Sequence, residues 1–264
     1  MPTVVSRRQA LSWGLASAAL GCRSGEQPAP TAARSASSPA PAWGGLSVAS
    51  VTQMPESERG GSAVVLLHGF GASGDDLVSL AQELQRPGTR FFLPAAPIAL
   101  AGGGRAWWQL DARDRPRYVT DSADAAASTP NAALDAARGA VQGVLRTVQA
   151  RYAPAALSIA GFSQGAMLSL DVALTGAPPV KRVGVLSGAL LVDAAARLET
   201  QPAAPPAVFI SHGRDDKRLP FAGGERMRAA LEARGFPVTW RPFEGGHQIP
   251  RDIVRELGLF LFGA

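Results

Sequence analysis

The 264-residue sequence has little cysteine, lysine or histidine. Its single cysteine, Cys22, excludes an intramolecular disulfide and a zinc site built from cysteines. The chain has no apolar run long enough for a bundle of membrane-spanning helices. Its composition, with 46% hydrophobic and 18% charged residues, is too apolar for a disordered protein. What remains is a globular chain long enough to bury a core in one large domain or two small ones.

The formal net charge of +5 does not indicate a nucleic-acid partner. Four arginines and one glutamate give the first 42 residues a charge of +3, which leaves only +2 for the rest of the chain. Lysine occurs only at Lys181 and Lys217, and the sequence has no basic cluster interleaved with aromatic residues. We therefore expect a small-molecule substrate and no DNA or RNA partner.

The first 22 residues predict an export signal. Arg7 and Arg8 precede an apolar run over residues 10–20, and small residues lead to Cys22. This tripartite order is typical of a secretory signal, and the paired arginines resemble a twin-arginine signal. Residues 19–22 (ALGC) resemble a bacterial lipoprotein cleavage box, in which the cysteine is lipidated. The pattern predicts a protein that is exported, either to the periplasm or to a membrane through a lipid on Cys22.

The Ala-, Pro- and Ser-rich residues 23–42 predict a disordered linker, so a single folded domain is expected over residues 43–264. In that domain short apolar runs alternate with longer amphipathic ones. Strands are predicted over 63–67, 90–94, 157–161, 182–187, 207–212 and 238–242, and helices over 75–85, 131–152, 164–174, 225–234 and 250–262. This alternation predicts an α/β fold with a mostly parallel central sheet, whose functional loops follow the strands' carboxyl ends.

Residues 161–165 (GFSQG) form a candidate nucleophile elbow, because the G-x-S-x-G pattern directly follows a predicted strand and opens a predicted helix. In such a sharp turn the serine has a strained backbone, and glycines two residues away on either side avoid side-chain clashes. The context predicts Ser163 as a nucleophile.

A nucleophilic serine needs an imidazole to take its proton, and the chain has only three histidines. His68 is excluded because on this fold the order is serine, acid, histidine. His212 lies at the end of a predicted strand, and we therefore predict that it has a structural role. His247 lies in a glycine-containing loop before the last helix and is the predicted base. The histidines are far apart and the cysteine belongs to the signal, so no metal site or cofactor is predicted.

The acid that orients the base is expected after an earlier strand. Asp216 is the first candidate and its neighbour Asp215 the alternative, while Asp193, after a different strand, is a third. For the oxyanion hole the sequence predicts the backbone N–H of Gln164, directly after the serine, and that of Phe70 in an HGFG loop.

Trp107 and Trp108 lie in a loop flanked by glycines. Large aromatic residues in such a loop are candidates for the wall of an acyl pocket, and core packing is the equal alternative.

Several short blocks occur together in one order: 68–71 (HGFG), 94–97 (PAAP), 107–108 (WW), 161–165 (GFSQG), 187–188 (SG), 212–213 (HG) with Asp216 and Pro220, and 246–247 (GH). Together they resemble the phospholipase/carboxylesterase family of α/β-hydrolases, which includes acyl-protein thioesterases and small bacterial carboxylesterases. The resemblance covers about residues 60–262. It implies an α/β-hydrolase fold and a Ser163, Asp216, His247 triad, since the family's acid follows the histidine of the HG pair by four residues.

Two features of the sequence differ from the family. The chain has a predicted export signal, which the family's cytosolic thioesterases lack, and its residues 113–129 do not align with the family. The sequence therefore predicts a serine carboxylesterase that hydrolyses small or medium esters through an acyl-enzyme. The alternatives are a thioesterase, lysophospholipase or peptidase and, in another class, a non-catalytic hydrolase-like binding protein of the cell envelope.

Overall fold

The computed structural model describes residues 43–110, 116–119, 131–200 and 204–263. The predicted export signal with Cys22 and the predicted linker lie outside the described residues, and so does most of the segment that does not align with the family. No helix in the described part of the chain is both long and apolar enough to cross a membrane.

Strands and helices alternate along the described residues, as predicted. The strands are β1 (Val48–Thr52), β2 (Ser62–Leu67), β3 (Thr89–Pro94), β4 (Ile98–Ala99), β5 (Arg105–Ala106), β6 (Ala156–Phe162), β7 (Arg182–Leu186), β8 (Ala207–Gly213) and β9 (Val238–Phe243). The helices are α1 (Val78–Leu84), α2 (Ala132–Tyr152), α3 (Gln164–Leu174), α4 (Val192–Arg197), α5 (Phe221–Glu232) and α6 (Arg251–Phe262).

Seven strands form one sheet in the order β1-β3-β2-β6-β7-β8-β9, and β4 pairs with β5 in a separate small hairpin. β1 is antiparallel to β3, and the other neighbours in the large sheet are parallel. The pairing of Leu67 with Gly161 and of Phe162 with Leu186 brings the carboxyl ends of β2, β6 and β7 to the same edge. Loops that follow these strands therefore meet there.

Helices cover both faces of the sheet, because its inner strands are apolar on both sides. Along β2, Val65 and Leu67 face a core shared with α2, α3 and α5, while Val64 and Leu66 face a core shared with α1 and α6. This period of two is that of an extended strand between two helical layers. The predicted α/β fold with a mostly parallel central sheet is confirmed.

Three differences from the predicted elements have local causes. α1 begins at Val78, three residues late, because Asp75 is held in a turn by the hydroxyl of Ser73. α5 begins four residues early, at Phe221, although Gly223 and Gly224 resemble a helix break. A Cβ on Gly224 would lie 2.8 Å from the ring of His212, so this glycine is needed for packing inside the helix. β1 and α4 were not predicted, since one is a half-exposed edge strand and the other is only six residues long.

A buried carboxylate fixes α3 to its neighbours. Asp171, in the middle of α3, is fully buried, and its oxygens accept hydrogen bonds from Arg138 of α2 at 2.6 Å and from Arg197 of α4 at 2.5 Å. Removing one partner of such a buried ion pair is strongly destabilising, because the other charge is left without compensation. The helix that begins at the candidate elbow is therefore held in place at mid-length.

Candidate active site

The turn between β6 and α3 has the strained geometry expected of a nucleophile elbow. Ser163 has φ 55° and ψ −117°, a conformation that L residues rarely adopt, and its N–H donates to the carbonyl of Leu186 at 2.9 Å. A Cβ on Gly161 would lie 2.4 Å from the backbone of Gly165, and a Cβ on Gly165 would lie 2.2 Å from the carbonyl oxygen of Leu67. Both glycines are thus required by close backbone packing around the serine.

Three side chains from separate loops form one hydrogen-bonded chain. The hydroxyl of Ser163 lies 2.8 Å from Nε2 of His247, and Nδ1 of the same ring lies 2.7 Å from Oδ2 of Asp216. His247 follows β9 and packs on the ring of Phe162, with centroids 4.8 Å apart, while Asp216 follows β8. With the Nδ1–H donating to the carboxylate, Nε2 is left as an acceptor for the serine proton.

The carboxylate of Asp216 is completely removed from solvent and fully hydrogen-bonded. Its other oxygen, Oδ1, accepts the backbone N–H of Arg218 at 2.8 Å and that of Leu219 at 2.9 Å. Burial acts to raise the pKa of Asp216, but the hydrogen bonds from Leu219, His247 and Arg218 outweigh it and hold the pKa below its usual value. The group is therefore ionised at neutral pH.

The alternative acids lie elsewhere. Asp215 is exposed, and its N–H donates to the carbonyl of Gly245 at 2.9 Å. Asp193 lies in the first turn of α4. Of the three candidates, only Asp216 contacts His247.

The other two histidines have structural contacts. His212 is fully buried, and its Nε2–H donates to the carbonyl of Leu219 at 2.8 Å, which braces the loop that carries Asp216. Nε2 of His68 accepts the N–H of Ala96 at 3.0 Å, so Nδ1 carries the proton. Burial lowers the pKa of His68 and keeps the ring neutral.

The two backbone N–H groups predicted for an oxyanion hole belong to Phe70 and Gln164, which line the same cavity as Ser163. Within the described residues, no hydrogen bond engages the N–H of Phe70 or of Gln164. The loop that carries Phe70 is pinned to β5, because the N–H of Gly71 donates to the carbonyl of Arg105 at 2.9 Å and the N–H of Arg105 donates to Ala72 at 2.8 Å. Both donors are therefore available and held on ordered backbone.

The Gln164 side chain has a role that the sequence did not indicate. Its Oε1 accepts the N–H of Trp107 and its Nε2 donates to the carbonyl of Trp108, both at 2.9 Å. The indole N–H of Trp107 in turn donates to the carbonyl of His68 at 3.0 Å. Trp107 is 1% exposed, and its ring fills the core beside His68. It does not line the pocket, so the prediction that Trp107 forms part of the acyl pocket is wrong. Trp108 does face the pocket.

A cavity of about 250 Å³ opens at the serine. Most of its lining is apolar, and the residues are Phe70, Trp108, Leu110, Pro116, Tyr118, Ser163, Gln164, Met167, Arg218 and Leu219. Sequence reasoning missed Tyr118, Met167 and Arg218, because they come from separate segments and belong to no motif. Elsewhere in the described residues, no group of three or more His, Cys, Asp or Glu side chains is placed to hold a metal ion.

A mostly parallel sheet with a strained serine between strand and helix defines an α/β-hydrolase. The chain belongs to the phospholipase/carboxylesterase family, whose model matches residues 49–262. Acyl-protein thioesterase 1 of Mycosarcoma maydis is 30% identical over an alignment of 216 residues, and the match covers 76% of this chain and 90% of that protein.

Solved structures give the same assignment. The crystal structure of esterase PE8 superimposes with a TM-score of 0.67 at 30% identity, covering 82% of this chain and 97% of the esterase. Acyl-protein thioesterase 2 of Zea mays has a TM-score of 0.62 at 23% identity, with 81% and 97% covered, and so shows the shared fold alone. The predicted family is confirmed, and with it a hydrolase.

Proposed function

We propose that this protein is a serine hydrolase that cleaves small and medium carboxylic esters through an acyl-enzyme. The observation that carries the proposal is the unbroken hydrogen-bonded chain from Asp216 through His247 to Ser163, with the serine at the opening of an apolar cavity. A hydroxyl with a base at 2.8 Å and an oriented base behind it is the arrangement that acyl transfer requires.

The first half of the reaction forms the acyl-enzyme. Ser163 Oγ attacks the ester carbonyl carbon while its proton passes to Nε2 of His247, and Asp216 stabilises the imidazolium that results. The negative charge that develops on the carbonyl oxygen is stabilised by the N–H groups of Phe70 and Gln164. When the tetrahedral intermediate collapses, the C–O bond to the alcohol breaks and the alcohol leaves with the proton from Nε2.

The second half releases the acid. A water molecule gives its proton to Nε2 of His247 and attacks the acyl carbon, which passes through a second tetrahedral intermediate at the same two N–H groups. The proton then returns to Ser163 Oγ as the acyl bond breaks. Since one histidine serves as base and as acid in both halves, its single tautomer, fixed by Asp216, supports the whole cycle.

The cavity favours short and medium acyl groups. At about 250 Å³ it is smaller than the ~300–1,000 Å³ typical of sites for larger ligands. A long fatty acyl chain would have to extend beyond it. Several relatives bear the name acyl-protein thioesterase. We keep thioesters as the second substrate class, since a thioester passes through the same acyl-enzyme.

The N-terminal pattern supports a proposal on location. Paired arginines, a short apolar run and Cys22 in a lipobox-like sequence favour export and a lipid tether to a membrane. An enzyme at that location meets esters from outside the cytosol, which favours small-molecule substrates over palmitoylated cytosolic proteins.

The decisive test is Ser163→Ala with a short aryl ester such as 4-nitrophenyl butyrate and with a fluorophosphonate probe. We expect kcat/KM to fall by about 10⁴-fold or more, and labelling to be lost, with an unchanged circular dichroism spectrum. Ser169→Ala is the matched control, because Ser169 lies in α3, the helix that begins directly after Ser163, and is fully buried with its hydroxyl bound to a backbone carbonyl. Retained turnover or labelling in Ser163→Ala would refute the proposal, and an unlabelled, inactive wild-type protein would favour a binding protein.

A further inference from the structure

The cavity at Ser163 has one charged side chain in its described wall. Six lining residues are apolar, and Tyr118, Ser163 and Gln164 are polar and neutral, which leaves Arg218 as the charged member. A single cation at the edge of an apolar cavity is not needed to bind a neutral ester.

The backbone of Arg218 is fixed next to the hydrogen-bonded chain. Its N–H donates to Oδ1 of Asp216 at 2.8 Å, and the next residue, Leu219, donates to the same oxygen. The side chain therefore starts from a point that cannot move without disturbing the carboxylate that orients His247. The Arg218 side chain therefore extends to the cavity wall from an ordered backbone.

Within the described residues, the guanidinium of Arg218 has no ion pair or hydrogen bond, unlike the guanidinium groups of Arg214 and Arg241. Arg214 pairs with Glu244 at 3.0 Å, and Arg241 pairs with Glu256 at 2.9 Å. The carboxylate of Asp216 makes no ion pair with this guanidinium, since the groups bound to its oxygens are two backbone N–H groups and the ring of His247. The positive charge at the cavity is thus available to a ligand.

We propose that Arg218 makes this site selective for esters that carry an anionic group, a carboxylate or a phosphate, close to the scissile bond. The inference rests on the proposed esterase function and names the substrate class of that same site. A guanidinium offers a planar fork of donors that matches both anions. Because Ser163 and Arg218 line the same cavity of about 250 Å³, one small ester can contact both residues.

The anion can lie in the acyl part or in the alcohol part, and two pairs of substrates distinguish these cases. Monoethyl glutarate and ethyl pentanoate differ by a carboxylate on the acyl side, and their hydrolysis is followed by pH-stat titration. 4-Acetoxybenzoate and 4-methylphenyl acetate differ by a carboxylate on the alcohol side and are followed by absorbance. The quantity measured in each pair is kcat/KM for the anionic ester divided by kcat/KM for the neutral one.

We expect this ratio to fall about tenfold in Arg218→Gln in at least one pair, and the pair identifies the side that carries the anion. Arg218→Lys should keep much of the ratio, and about 0.5 M salt should reduce it in the wild type, because the group is exposed and its charge is screened. Lys217→Gln is the matched control, since Lys217 is the adjacent exposed cation and does not line the cavity.

The inference is overturned if the ratio in both pairs is the same in the wild type and in Arg218→Gln, or if Lys217→Gln lowers it equally. These results would leave hydrolysis of the neutral esters intact and the proposed function standing. A wild-type protein that hydrolyses none of the four esters would instead contradict the proposed function and this inference together.

Discussion

Replacing Asp216 with asparagine should impair turnover far more than the same change at Asp215. Asp216 uses one oxygen for two backbone N–H donors and the other for the Nδ1–H of His247. An asparagine side chain has one acceptor and one donor group in their place. If its oxygen faces the backbone donors, its NH₂ faces Nδ1, and the imidazole must take its proton on Nε2. That nitrogen then cannot accept the proton of Ser163.

The opposite orientation of the asparagine is no better, because its NH₂ would face two fixed backbone N–H groups. Either way the histidine loses the negative charge that stabilises its protonated form. We expect a loss of about 10³–10⁴-fold in kcat, equivalent to ~4–5.5 kcal/mol in the activation barrier. KM should change little, since Asp216 does not line the cavity.

The assay is steady-state hydrolysis of 4-nitrophenyl butyrate by wild type, Asp216→Asn and Asp215→Asn. Asp215→Asn should remain within about twofold of wild type, because an exposed side chain outside the hydrogen-bonded chain contributes little. Circular dichroism spectra of the three proteins establish that each is folded. If Asp216→Asn keeps more than about a tenth of the wild-type kcat, or if Asp215→Asn is the more impaired variant, the assignment of the acid is wrong.

Gly165→Ala should lower the free energy of unfolding by at least ~1–3 kcal/mol and reduce turnover, because its Cβ would lie 2.2 Å from the carbonyl of Leu67. Gly139→Ala, in open space on α2, should instead stabilise by about 0.5–1 kcal/mol; equal effects in urea titrations would refute the packing argument. The lowered pKa of Asp216 stabilises the fold fully above the ordinary value of 3.8, and this contribution is lost as pH falls from there through the folded-state pKa. The difference in melting temperature between wild type and Asp216→Asn should therefore shrink below that pH, and a difference independent of pH would contradict it. Cys22→Ser should move the protein from the membrane to the soluble fraction, and continued sedimentation with membranes would contradict a lipid tether.

The elbow could be predicted because its constraints are local. Gly161 and Gly165 flank the serine within one turn, and the change from an apolar strand to an apolar helix is visible in the sequence. α3 begins and ends where it was predicted, at Gln164 and Leu174. His247 could be assigned from the scarcity of histidines and the chain order. In each case the sequence offered few candidate residues for the role, so the choice among them needed little information about tertiary contacts.

The wall of the cavity could not be predicted in the same way. Trp107 and Trp108 are chemically identical neighbours, and only contacts with distant residues distinguish them. The indole of Trp107 is bound to the carbonyl of His68, while Trp108 faces the serine. Arg218 gave no signal either, because an exposed arginine after an acid is ordinary in sequence. Its position becomes informative only when the cavity that it lines is known.

The two predicted oxyanion donors are held by one connected set of contacts. The side chain of Gln164 binds the backbone on both sides of the tryptophan pair, and Trp107 continues to the carbonyl of His68, two residues before Phe70. These hydrogen bonds are buried, and a buried polar group that loses its partner costs more than the bond contributes when it is made. The spacing between the N–H groups of Phe70 and Gln164 is therefore set before any substrate arrives. Fixed donors of that kind stabilise a developing negative charge without reorganising during the reaction.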